Sequence, residues 1–143
     1  MNSEALWAEI ITGLNESPLE MATVPSNNRQ PLWFCAYIEE NRLVVKNAVN
    51  HQPTTQMNNP RIIKKDDFLT VYPYYHRWAN GERQLRQEVR LLSRNTAYIF
   101  ALISCFEKGC IKKFQYNKLV RDKIPEIIEK SGKKAVLVNK SLV

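Results

Sequence analysis

The sequence predicts an α+β fold, a short β-hairpin or small sheet in the first half packed with about four helices in a single compact domain. Three observations lead there. Residues 32–38 (LWFCAYI) and 42–49 (RLVVKNAV) are rich in aromatic and β-branched side chains and are separated by Glu39, Glu40 and Asn41, the pattern of a hairpin. Three later segments carry apolar residues at helical spacing. The 143 residues, 44% hydrophobic and 24% charged, are enough for a core that needs no disulfide or metal staple.

In chain order, SEALWAEIITGL places Leu6, Trp7, Ile10, Ile11 and Leu14 on one helical face behind Ser3 as the expected N-cap, with Glu4 favourable in the first turn. Residues 15–31 hold three prolines and read mainly as loop, and so does NHQPTTQMNNP after the hairpin. A further helix is expected behind Asp66 as N-cap, with Phe68, Val71, Tyr72, Tyr75 and Trp78 on its apolar face and Pro73 kinking or restarting it. Asn80-Gly81 ends that helix. GERQLRQEVRLL predicts the next, with Leu85, Val89 and Leu92 facing inward. TAYIFALISCFEKG predicts the last, stopped at Gly109. The domain is read as residues 1–115, and residues 116–143 as a tail packed on it.

Charge divides the chain. Residues 1–60 contain three Lys/Arg against six acids, whereas residues 61–143 contain eighteen against eight, within a net charge of +7. A basic half of this kind suits an anionic partner, a nucleic acid or a nucleotide, and also suits a solvated basic surface. At 100° per residue Arg83, Arg86, Arg90 and Arg94 fall within about 80° of one another, a stripe that could grip phosphates bidentately. The same stripe is compatible with local pairing to Glu82 and Glu88 or with acidic groups on another chain. Tyr74 and His76 lie off the main apolar face of their helix and are the candidates for stacking on unpaired bases. The segment from Tyr98 to Phe106 offers almost nothing able to read base edges, so it belongs in a core or a homo-oligomer interface. Contact with nucleic acid would then rest on the backbone, without base-specific readout.

Residues 116–134, YNKLVRDKIPEIIEKSGKK, resemble the N-terminal opening of MazG-like nucleotide pyrophosphohydrolases. That resemblance implies a short helix preceding the helices that hold a catalytic magnesium with an E-x-x-E pair and a second acidic pair. Glu126 and Glu129 have E-x-x-E spacing, but the resemblance places this opening before the catalytic pair, and no Asp or Glu follows Glu129. A nucleotide-binding relative, or one whose catalytic helices lie beyond residue 143, is therefore the enzyme-class alternative. Lys118, Arg121 and Lys123 in this stretch are candidates for phosphate contact or for a solvated basic face. No catalytic residue, metal ligand set or cofactor motif is predicted, since the four glycines are isolated and Cys35, Cys105 and Cys110 lack the tight spacing of a zinc site. The three cysteines are expected to be reduced thiols. The first residues lack the basic and apolar regions of a signal peptide and no apolar run is long enough to span a bilayer, so a cytoplasmic, membrane-free protein is expected.

Overall fold

The elements follow in the order α1 (Ser3–Glu16), β1 (Leu19–Ala22), β2 (Trp33–Glu39), β3 (Arg42–Asn47), β4 (Arg61–Ile63), α2 (Lys65–Ala79), α3 (Leu85–Leu92) and α4 (Thr96–Glu107). This computed structural model describes residues 2–25 and 29–109. The chain divides into two units, Met1–Lys108 and Gly109–Val143. The resemblance at 116–134, with Lys118, Arg121 and Lys123, lies outside the described residues, as does Cys110. The predicted α+β class is the one observed, with four helices and one four-stranded sheet among the described residues.

That sheet is antiparallel throughout, in the order β1-β2-β3-β4. The hairpin is where the sequence places it. Glu40 and Asn41 form its two-residue turn with φ of 53° and 61°, the left-handed conformation that primed turns require and that Asn tolerates well. β1 and β4 fall in stretches read as loop or left unassigned, and both are short edge strands. Register sets the inner face: Met21 opposes Phe34, Ala36 opposes Val45, and Leu43 opposes Ile63. All six of these side chains are buried on one face, and Cys35 and Val44, which alternate to the other face, are buried as well.

Helices cover that face. Asn2, not Ser3, caps α1, its Oδ1 accepting the Ala5 N–H at 2.7 Å. Lys64 occupies the N-cap position of α2 without a side-chain cap bond, so Asp66 sits inside the first turn, where its charge still favours the helix dipole. Pro73 does not restart α2. The helix runs through it, with Pro73 on its exposed side. α4 packs against α1, α2 and β1, and Ile99, Phe100, Leu102, Ile103 and Phe106 are buried there. The sequence left this helix between a core and an oligomer interface. Its large apolar side chains are already spent inside its own chain, so the homo-oligomer reading of Tyr98–Phe106 has little apolar surface left to use.

Two polar networks pin the loops. The Glu20 carboxylate on β1 accepts the N–H groups of Val49 and Asn50 at 2.7 and 3.1 Å and lies 2.7 Å from His51 Nδ1, while the His51 ring stacks on Trp33 at 4.0 Å. Burial works to raise the Glu20 pKa, yet the hydrogen bonds from His51, Val49 and Asn50 outweigh it and hold the carboxyl below its ordinary value. Asn47 binds the same loop further on, accepting from Thr55 Oγ1 and the Met57 N–H and donating to the Met57 carbonyl. Cys35 is a free, buried thiol whose pKa burial pushes up. Cys105 is disulfide-bonded, which corrects the expectation of three reduced thiols. No helix among the described residues is long and apolar enough to cross a membrane.

Candidate functional site

The predicted arginine stripe is divided by the real length of its helix. α3 spans only Leu85–Leu92, so Arg83 stands in the turn before it and Arg94 in the turn after it. Arg86 is half-buried. Its guanidinium carbon lies 4.8 Å from the Trp78 ring centre and 4.7 Å from that of Phe100, and Nη1 donates to the Val24 carbonyl at 2.8 Å. Burial first, then the charges of Arg90 and Arg83, push its pKa down to about 10. That mutual influence places three positive charges together, but it gives Arg86 a structural role and leaves Arg83 and Arg90 as the exposed members. Arg83 itself lies over Trp78 at 4.7 Å. Leu92, expected to face inward with Leu85 and Val89, is 53% exposed.

The predicted stacking residues do not come together. Tyr74 and His76 are two positions apart on α2, about 160° around its axis. His76 Nε2 lies 2.7 Å from Glu107 Oε1, a distance at which the imidazole N–H donates to the carboxylate, and its ring meets Tyr72 and Tyr75 edge-on. His76 therefore ties α2 to the end of α4. Tyr74 is half-buried and has no ring partner among the described residues.

Arg94 belongs to a different constellation. It lines a cleft of about 530 Å³ together with Arg61 at the start of β4 and Lys64 at the N-cap of α2. Neither Arg94 nor Lys64 is paired with a carboxylate among the described residues, and Arg61 Nη1 donates to the Arg94 carbonyl at 3.3 Å, which ties the two walls together. Arg61 also lies over the Tyr98 ring at 5.5 Å. Two helix N-termini reach this cleft through their cap residues, Lys64 for α2 and Asn95 for α4, and neither makes a side-chain cap bond. Uncapped N–H groups at such ends carry partial positive charge.

One acid interrupts this positive lining. Asp67 accepts from Asn95 Nδ2 through Oδ2 at 3.1 Å. Asn95 is 8% exposed, and its Oδ1 is buried without a hydrogen-bond partner. A buried acceptor left unpaired costs about 1–3 kcal/mol. The amide thus directs its donor to Asp67 while its acceptor goes unused. Exposed Ile62 and Leu92 flank these polar groups.

Sequence reasoning found Arg94 but missed Arg61, Lys64, Asp67 and Asn95, because only tertiary pairing of β4 and the start of α2 with the α3–α4 turn brings them together. Their one visible signal was the onset of the basic half at Arg61. Among the described residues no three His, Cys, Asp or Glu side chains gather as a metal site would need. Compared with protein families, with curated proteins and with solved structures, the chain matches none at a significant level, and the reading of its site rests on its own geometry.

Proposed function

We propose that this protein binds a phosphate-bearing partner, a nucleic acid, by charge and without base-specific readout. The observation that carries the reading is the gathering of Arg61, Lys64 and Arg94 around one cleft, with no carboxylate paired to any of them among the described residues. Exposed Arg90 in the last turn of α3 extends the same charge, four residues before Arg94. Residues 1–108 are nearly balanced, with twelve bases against eleven acids, whereas residues 109–143 have nine against three, a surplus that a polyanion senses at long range. The Tyr98–Phe106 segment of α4 carries almost no polar side chain able to read base edges, which favours backbone contact.

A free nucleotide is the second reading, favoured by the size of the cleft, since about 530 Å³ suits one small ligand. The resemblance at 116–134 points the same way. Self-association through the Tyr98–Phe106 helix has no comparable support, and catalysis is not part of the proposal.

The test is fluorescence anisotropy with single-stranded and duplex oligonucleotides at two salt concentrations, with a nucleoside triphosphate as competitor. The expected result is binding that weakens steeply with salt, the slope falling by about 0.7 for each single-strand phosphate contact removed. Arg90→Gln and Arg94→Gln should each lower the slope. Unchanged anisotropy at low salt with every strand would refute the nucleic-acid reading, and full displacement by equimolar nucleotide would transfer the cleft to the second one.

A further inference from the structure

We infer that the cleft accepts a ribose-phosphate unit, with Arg61, Lys64 and Arg94 on the phosphate and Asp67 on the ribose 2′-hydroxyl, so that the protein prefers RNA to DNA. This rests on the nucleic-acid reading above and deepens it.

Asp67 is the acid among the residues lining the cleft. A site shaped for phosphate alone gains nothing from a carboxylate among its three cations, because like charges repel. None of those cations pairs with Asp67, so it is not there to neutralise one of them. It is instead held by the side chain of Asn95, a residue 8% exposed whose Oδ1 has no partner. Held in place by Asn95, the Asp67 carboxylate at the start of α2 has oxygen lone pairs to spare for a donor from a ligand. A phosphodiester offers none, and deoxyribose within a strand offers none either. Ribose supplies one at its 2′ position, the group by which a protein distinguishes RNA from DNA.

The remaining lining agrees with this ligand. The start of α4, with no side-chain cap bond and no acid in its first turn, favours an anion at its N-terminus. Ile62 and Leu92, 41% and 53% exposed, present apolar surface on which a sugar or base face can rest without hydrogen-bond readout. Asn95 is a positioning residue here, and Asp67 and the three cations are the contacts.

The experiment compares three short labelled strands that differ only at the 2′ position: oligo(U) RNA, its deoxyuridine equivalent and its 2′-O-methyl equivalent. The full-length chain is titrated with each by anisotropy at one fixed salt concentration. RNA is expected to bind about tenfold tighter than either of the others, the scale of one hydrogen bond to a charged group. Asp67→Asn, which keeps an oxygen to accept from Asn95, should erase that preference while leaving deoxyuridine binding equal or tighter, because a repelling charge is gone. Equal affinity for RNA and 2′-O-methyl RNA overturns the inference, and so does a preference that survives in Asp67→Asn. If that variant fails to fold by circular dichroism, the comparison of the three strands decides alone. Salt-dependent binding of all three without preference overturns the inference but retains nucleic-acid binding, whereas no binding to any strand overturns both.

Discussion

Replacing Arg86 separates a structural arginine from its exposed neighbours. The side chain contributes a charge-assisted hydrogen bond to the Val24 carbonyl, about 2 kcal/mol, and cation–π contacts with Trp78 and Phe100, about 2 kcal/mol together. Its aliphatic stem adds about 1–2 kcal/mol of packing. Against these stands the penalty for burying the charge. Depression of the pKa from the ordinary guanidinium range to about 10 corresponds to about 3 kcal/mol. Arg86→Ala should therefore lower stability by about 2–3 kcal/mol, measured as a fall in the urea midpoint at constant slope. Arg86→Met retains the stem and removes the charge penalty, but leaves the Val24 carbonyl unpaired, and should cost less than about 1.5 kcal/mol. The folded-state pKa is the lower one, so the unfolded chain binds more protons only from about pH 10 up to the ordinary guanidinium value, and Arg86 makes stability rise with pH only in that window. At neutral pH both states are protonated and the difference between variants should not move with pH. A loss under 0.5 kcal/mol for Arg86→Ala would refute the assignment and return Arg86 to the surface. Arg86→Met should also leave the salt slope of the proposed nucleic-acid binding unchanged, unlike Arg90→Gln and Arg94→Gln.

Three other outcomes are expected. The folded-state pKa of Glu20 is lowered, so its stabilisation is present above its ordinary value of 4.5 and is lost as pH falls through the folded value; urea midpoints from pH 7 to pH 3 should decline less in Glu20→Gln than in the parent chain. Asn47→Ala removes three hydrogen bonds to Thr55 and Met57 and should cost about 2–3 kcal/mol by the same assay, whereas Asn50→Ala should cost under about 0.5, since Asn50 contributes only its backbone N–H to Glu20. Phe100→Ala should cost about 3–5 kcal/mol by calorimetry, because Phe100 is fully buried and meets Tyr75, Trp78 and Arg86.

What the sequence made legible follows the range of each signal. The hairpin and the apolar faces of α1, α2 and α4 were readable because residues within one turn or one strand carry the pattern. β1 and β4 were not, since strands of four and three residues are too short for alternation to register, and their pairing with β2 and β3 is what makes them strands. The stripe shows the same limit. Spacing alone put four arginines on one face, but α3 has only eight residues, too few to carry all four, and tertiary packing draws one of the two it holds inward between aromatic rings. Asn95 is the sharpest case. An Asn immediately before an apolar helix is a natural N-cap, so a local rule aims its side chain at the first turn of α4. The structure turns it to Asp67, 28 residues away, and leaves its Oδ1 unpaired. No local pattern announces such a competitor, because the carboxylate reaches Asn95 only after β4 and α2 have docked beside the α3–α4 turn. A helix start that gives up its own cap to hold a carboxylate in a cationic cleft runs against local preference, and such departures are expected where a site is built.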